Sequence, residues 1–154
     1  MLVLGLHVAT QGNKRVIRGV LLDPTNDSVL SPPIEHLPDR GHDEATQVRE
    51  ARDAVASALR AHEIAAAVLR EADYHFRRGV TDGTKRRLRL EGVCLAACRE
   101  KTSLVEVMDG PALGRACGGN KDAAFDAARI LGVSENLVEA TAAALAAKSL
   151  LSVA

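Results

Sequence analysis

Three separated stretches of the chain carry side chains of the types that bind divalent cations. One histidine lies near the end of an apolar run over residues 2–9, two acids follow a second apolar run over residues 64–69, and a third group lies near the end of the sequence. The candidates are His7, Glu71, Asp73, Glu135, Asn136 and Glu139. We expect the two later groups to converge on the histidine, which predicts a polar site at the end of the first strand.

A second candidate is the strongly basic segment from residue 77 to residue 89, whose one acid is Asp82. Its cations are Arg77, Arg78, Lys85, Arg86, Arg87 and Arg89. One interpretation is a phosphate-binding edge for nucleic acid, in which arginine side chains grip the backbone. The other is a solvated loop and helix face, where the long side chains pack through their stems. Lys and Arg total 20 and Asp and Glu total 20, so the chain has no net charge. Its overall charge therefore favours neither the phosphate-binding interpretation nor the solvated-face interpretation.

Composition and missing motifs limit the function classes. Aromatic residues make up only 2% of the chain, which leaves few platforms for stacking single-stranded bases. The glycines do not have the spacing of a Walker or dinucleotide loop, and no hydrolase triad has a local signature. No signal peptide, no membrane-spanning run and an odd count of 3 cysteines together predict a cytoplasmic protein. We interpret Cys94 and Cys98 as buried small hydrophobes rather than as zinc ligands.

Hydrophobic periodicity predicts the order β-β-β-α-β-α-β-α-α in a single domain over residues 1–154. Strands are expected at residues 2–9, 15–22, 28–30, 64–69 and 104–108. Residues 31–43 are expected to be a loop, and helices are expected at 43–62, 84–101, 121–131 and from Ser134 onward, with a helical turn at 112–117. Three antiparallel strands followed by two parallel strands give an α/β fold with a five-stranded mixed sheet and helices on both faces.

This order resembles the RNase H-like superfamily, and within it the RuvC-type Holliday-junction resolvases. Residues 4–7 (LGLH) stand where such proteins have a strand that ends in an acid, and residues 68–71 (VLRE) resemble the strand that delivers a glutamate. Residues 85–97 (KRRLRLEGVCLAA) are similar to the helix that follows that strand. Residues 136–140 (NLVEA) stand where the last helix presents two acids three residues apart.

The resemblance implies phosphodiester hydrolysis with two Mg²⁺ ions held by four carboxylates, which clamp the attacking and leaving oxygens. Mapped onto this chain, two of those carboxylates are Glu71 and Glu139, whereas His7 and Asn136 replace the other two. Glu135 lies one helical turn before Glu139 and could substitute for Asn136. Asp73 is a further metal-ligand candidate.

The histidine leaves two alternatives open, because a neutral imidazole carries no negative charge and prefers transition metals to Mg²⁺. Either His7, Glu71 and Glu139 hold a single metal ion, or His7 hydrogen-bonds a glutamate in an inactive pocket. The first alternative predicts an endonuclease that uses a divalent metal, Mg²⁺ or Mn²⁺, on branched or single-stranded nucleic acid. The second alternative predicts an inactive, metal-free scaffold. It would be a homodimer and would bind nucleic acid or protein.

Overall fold

The computed structural model describes residues 1–73 and 79–153. The strands are β1 (Leu2–Gln11), β2 (Lys14–Asp23), β3 (Ser28–Val29), β4 (Ile34–His36), β5 (Ile64–Arg70) and β6 (Val105–Met108). The helices are α1 (Glu44–Leu59), α2 (Asp82–Arg99), α3 (Gly110–Ala116), α4 (Lys121–Ile130) and α5 (Val138–Leu151), with a 3-10 turn at Glu135–Leu137 just before α5.

The strands form one sheet with the order β3-β2-β1-β5-β6, and β4 also pairs with β2. The first two strands are antiparallel, and they are joined by a two-residue turn in which Gly12 has a φ of 63°. Parallel pairing joins β1 to β5 and β5 to β6. The mixed sheet with helices on both faces, expected from the sequence, is confirmed.

The sixth strand, β4, is a difference from the sequence prediction, which assigned residues 31–43 to a loop. It pairs through Ile34 with Gly19, on the same edge of β2 that β3 occupies further along. The side chain of Ile34 is buried, and Gly19 has no Cβ to obstruct it. The strand is 3 residues long and follows two prolines, so its sequence has no alternation long enough to reveal it.

Alternating side chains divide the core into two layers, one on each face of the sheet. Val3, Val20 and Val68 point to the face that is covered by α5 with α3 and α4. Leu4, Ile17 and Leu69 point to the opposite face, which is covered by α1 and α2. A charged side chain on a strand therefore lies either under α3, α4 and α5 or under α1 and α2, according to the face of the sheet from which it projects.

Gly5 allows the backbone of α5 to approach the sheet closely. A Cβ at this position would collide with the backbone of Ala140 and Ala144. The approach is possible because this face of α5 is built from alanines that are fully buried. Since Gly5 precedes His7 by two residues and Glu139 precedes Ala140, the same contact brings the start of α5 onto the middle of β1. The site was expected at the end of the first strand, but β1 continues beyond His7 to Gln11.

Two observations concern the chemical environment of the protein. All three cysteines are free, and Cys94 and Cys98 are buried in the core of the α1 and α2 layer, as the sequence predicted. Burial raises the pKa of the Cys98 thiol to about 12, which makes it an inert apolar side chain.

Within residues 1–73 and 79–153, none of the helices has the length and apolar character that crossing a membrane requires.

Candidate functional site

A row of four polar side chains crosses the face of the sheet that α5 covers. In register, Glu35 of β4 lies opposite Arg18 of β2, Arg18 lies opposite His7 of β1, and His7 lies beside Arg70 of β5. Residues paired in this way project from the same face of a sheet. The start of α5 adds Glu139 above the row, so acids and bases from four strands and one helix meet here.

The closest contact in this site joins His7 to Glu139. Nε2 of His7 donates to Oε2 of Glu139 over 2.6 Å, and the two side chains are 13% and 32% exposed. Burial by itself would raise the pKa of Glu139. The hydrogen bond from His7, together with the charges of His7 and Arg70, outweighs burial and lowers this pKa below its usual value. Glu139 is therefore held as a carboxylate.

Arg70 lies at the centre of the site, with its side chain only 4% exposed. Its Nη2 is 3.4 Å from Oδ2 of Asp73 and 3.8 Å from Oε1 of Glu139. Its Nε and Nη1 are buried and have no hydrogen-bond partner among the described residues. A permanent positive charge thus lies between the two carboxylates.

Asp73 is fixed by three groups at once. Its Oδ1 accepts a hydrogen bond of 2.9 Å from the backbone N–H of Gly110, and its Oδ2 accepts one of 2.8 Å from Nζ of Lys121. Burial would raise its pKa, but these hydrogen bonds and the charges of Arg70 and Lys121 lower it to about 2. The carboxylate consequently ties the end of β5 to the starts of α3 and α4.

Glu71, which the sequence analysis placed with His7 and Glu139, is not brought to them. Side chains alternate along the strand, so Arg70 points to the α5 face and Glu71 is directed towards the α2 side. There, burial raises the pKa of Glu91 on α2, and the negative charge of Glu71 adds to that effect. Among residues 1–73 and 79–153, no three His, Cys, Asp or Glu side chains are grouped closely enough to hold a metal ion.

Glu135 and Asn136 also lie apart from the site. Both carboxylate oxygens of Glu135 accept hydrogen bonds from Arg129, at 2.8 and 3.2 Å, and the pair is exposed to solvent. Oδ1 of Asn136 accepts a hydrogen bond of 2.6 Å from the hydroxyl of Ser134. One continuous helix from Ser134 onward, as expected from the sequence, would place Glu135 on the same face as Glu139. The 3-10 turn that precedes α5 is wound more tightly than an α-helix, so Glu135 does not lie on the same face as Glu139.

The basic segment is on the opposite side of the sheet, on α2. Lys85 and Arg86 are exposed near the start of this helix and have no ion-pair partner within the described ranges. Arg77 and Arg78 lie outside the described residues. Lys85 and Arg86 are therefore accessible to a phosphate, as the predicted phosphate-binding edge requires.

The two remaining cations of that segment are engaged by acids. Arg87 is only 19% exposed, and its Nε lies 3.4 Å from Oε1 of the buried Glu91 one turn later. Arg89 forms an ion pair with Glu44 at the start of α1. These two side chains connect α2 internally and to α1, so they match the packing interpretation better than a role in holding phosphates.

Sequence reasoning missed the residues that define the site most strongly. Arg70 and Lys121 supply its cations, and Arg18 continues the row towards Glu35, 3.8 Å away. The signal for Arg70 was its position within the strand, two residues after Val68, whose side chain lies in the core under α5. Lys121 had no such signal, because α4 reaches the site only through the tertiary fold.

The residues present do not fit the pair of divalent cations that the resemblance implies. The site contains three carboxylates and three permanent cations besides the histidine. They are Glu35, Asp73, Glu139, Arg18, Arg70 and Lys121. A divalent ion at Glu139 or Asp73 would have to displace His7 or Lys121, and it would lie beside a buried guanidinium that repels it. The donor set is that of a self-neutralised ion-pair network.

Comparisons with known proteins define the fold. No protein-family model matches the sequence, and no curated protein is significantly similar to it. Two structures of one protein are among the solved structures that match nearly the whole chain. They are Thermus thermophilus RuvC, with a TM-score of 0.73, and T. thermophilus RuvC in complex with a Holliday junction substrate, with a TM-score of 0.74. In each case the identity is 16%, and the match covers 99% of this chain and 96% of the other.

These matches agree with the strand order, the mixed pairing and the two helical layers described above. They confirm the resemblance on which the sequence analysis relied, at the level of the backbone. The chain has the RNase H-like fold in the form found in RuvC.

Proposed function

We propose that this chain is a noncatalytic protein with the fold of RuvC, which binds branched DNA without cutting it. The observation that carries the proposal is the position of Arg70. Its guanidinium occupies the centre of the site and faces the same carboxylates that a catalytic metal would need. A two-metal nuclease requires oxygen ligands that are free to hold cations at the attacking and leaving oxygens.

The DNA-binding part of the proposal rests on α2. Lys85 and Arg86 project from its first turns, and Lys and Arg contacts to phosphates supply most of the affinity of proteins for nucleic acid. One of the matching structures contains RuvC with a Holliday junction, which makes a four-way junction the natural probe. The predicted contribution of Arg77 and Arg78 stays part of this proposal.

The test measures binding and cleavage on the same four-way junction DNA. In EDTA, fluorescence anisotropy should detect binding that weakens steeply with salt. The double variant Lys85→Ala/Arg86→Ala should reduce the slope of log K against log salt by about 2, if each cation neutralises one phosphate. Arg115→Ala removes one exposed charge from α3, on the other side of the sheet, and should leave the slope unchanged.

With Mg²⁺ or Mn²⁺ added, the DNA should remain uncut. Cleavage that disappears in Glu139→Gln would overturn the noncatalytic assignment and favour the metal-dependent endonuclease. If no salt-dependent binding is found, the DNA part of the proposal fails and a protein-interaction scaffold takes its place.

Three further properties stay predictions. We expect residues 1–154 to form one domain, the chain to be a homodimer, and its location to be cytoplasmic. Light scattering coupled to size-exclusion chromatography checks the second, because a mass of 16.3 kDa would identify a monomer.

A further inference from the structure

A cavity of about 490 Å³ opens on the side of the sheet opposite the His7 site. Three parts of the chain form it: the turn between β1 and β2, the segment that leads into α1 with its first turns, and the first half of α2. Arg15 and Ile17 share a face of β2, and Ile17 is packed in the core under α1 and α2. The cavity is thus separated from Arg70 by the thickness of the sheet, and its volume is typical of small-ligand sites.

Four cations and one acid line this cavity. The cations are Lys14, Arg15, Arg40 and Arg86, and the acid is Glu44. Glu44 is already occupied by its ion pair with Arg89. None of the four cations forms an ion pair within the part of the chain that the structure describes. A concave surface with this excess of positive charge attracts anions.

Two of the cations are held in place by neighbouring groups. Arg40 donates a hydrogen bond to Oδ1 of Asn13. The guanidinium of Arg15 lies so close to Gly83, at the start of α2, that a Cβ on this glycine would collide with it. Nε of Arg15 is buried without a hydrogen-bond partner among the described residues. Positively charged groups that are fixed before a ligand arrives lose less entropy when they bind it.

The rest of the lining combines three polar residues, Asn13, His42 and Gln47, with an apolar part. Leu37, Pro38, Val48 and Leu90 form this part, and Leu37 is 48% exposed although it is a large hydrophobic side chain. A ligand that suits both parts has an anionic group and a larger, less polar body. A nucleotide meets both requirements, whereas an inorganic anion uses only the cationic part.

We propose that this cavity binds the phosphate of a nucleotide, with the nucleoside against Leu37 and Leu90. The phosphate belongs either to a free nucleotide or to the 5′ end of a nucleic acid strand. Arg15 and Arg40 are the principal phosphate ligands, and Lys14 and Arg86 add to the field. The cavity lies on the same side of the sheet as the proposed DNA-binding surface of α2 and shares Arg86 with it. The inference nevertheless goes beyond the proposed function, because it names a small ligand whose binding can be measured without a DNA junction.

The test is isothermal titration calorimetry of the full chain with AMP, adenosine and inorganic phosphate, and with a short oligonucleotide carrying either a 5′-phosphate or a 5′-hydroxyl. We expect AMP to bind at least about tenfold more tightly than adenosine or phosphate alone. Binding of AMP identifies a free nucleotide as the source, and binding of only the 5′-phosphorylated oligonucleotide identifies a strand end. If neither binds, the proposal is overturned.

Two variants separate this site from general charge effects. Arg40→Ala should weaken binding by about tenfold or more, as expected for the loss of a charged hydrogen-bond donor. Gly83→Ala should weaken it as well by displacing Arg15, although it changes no charge. Arg115→Ala removes a charge elsewhere and should have no effect. Equal affinity of the wild type and Arg40→Ala would overturn the proposal, and unchanged circular dichroism shows that each variant is folded.

Discussion

Arg70 is the parallel-strand partner of His7, and the two side chains contact different oxygens of the same carboxylate on α5. His7 binds Oε2 of Glu139 and Arg70 approaches Oε1. The pairing of two strands and the docking of a helix are thereby connected through one half-buried acid. Such an arrangement stabilises the structure only while every member is present, because a buried charge without its partner is costly.

Replacement of Arg70 by methionine keeps an unbranched apolar stem and removes the charged guanidinium. We expect Arg70→Met to lower the free energy of unfolding by about 2 kcal/mol, because Asp73 and Glu139 then face each other without the cation between them. Urea unfolding measures this. The double variant Arg70→Met/Glu139→Gln should lose less than the sum of the two single variants, and additive losses would show that the pair is not coupled.

The lowered pKa of Asp73 predicts how stability depends on acid. A carboxyl whose pKa is about 2 in the folded chain and 3.8 without its partners stabilises the fold above pH 4. This contribution is lost as the pH falls from about 4 to about 2. We estimate it as roughly 1–2 kcal/mol after solvent screening.

Asp73→Asn removes this titration and is the variant to compare with the wild type. The difference in unfolding free energy between the two should be larger at pH 6 than at pH 2. A difference that stays constant between these values would contradict the role of the carboxylate.

Metal binding can be tested as a gain rather than a loss. The wild type should not respond to Mn²⁺ at this site, because cations of the chain already neutralise its carboxylates. His7→Asp/Arg70→Glu converts the centre of the row into acids and should create affinity for Mn²⁺, seen as a rise in Tm that depends on metal concentration. Line broadening of the His7 ring by Mn²⁺ in the wild type would show that the natural site binds metal after all.

Two glycines with opposite surroundings test the packing of the helices. Gly5→Ala should destabilise the fold by about 3 kcal/mol or more, because the new methyl group collides with the backbone of α5. Gly92→Ala is the matched change on α2, where no atom lies within 4 Å of a new Cβ. It should stabilise the fold by about 0.5–1 kcal/mol through helix propensity. Thermal unfolding of the two variants checks both signs.

The sheet and its layers could be predicted because β1, β2 and β5 are long, apolar or alternating, and bounded by clear turns. The pairing of His7 with Glu139 could also be predicted, since an RNase H-like order brings the first strand and the last helix together. The choice between Arg70 and Glu71 could not. The register of β1 on β5 shifts between Leu2 and Val3, so that His7 lies beside Arg70 rather than Leu69. A shift of one residue at the start of β1 decides whether an acid or a base enters the site.

The remaining differences have the same character. Glu135 was expected beside Glu139 on one helix. Instead, a single 3-10 turn places the two residues on different faces, and Glu135 forms an ion pair with Arg129. The cavity formed by α1, α2 and the β1–β2 turn was not expected, because Arg15, Arg40 and Arg86 are far apart in the sequence. Contacts set by a single turn or by distant loops leave no periodic trace in a sequence.

The close seating of α5 over Gly5 has a spectroscopic consequence. Glu139 begins the helix whose depth that glycine sets, and its carboxylate is 2.6 Å from the imidazole below. The ring of His7 is therefore a spectroscopic probe of the position of α5. Its nitrogen chemical shifts should respond to any substitution or bound molecule that lifts α5 from the sheet, long before the fold itself is lost.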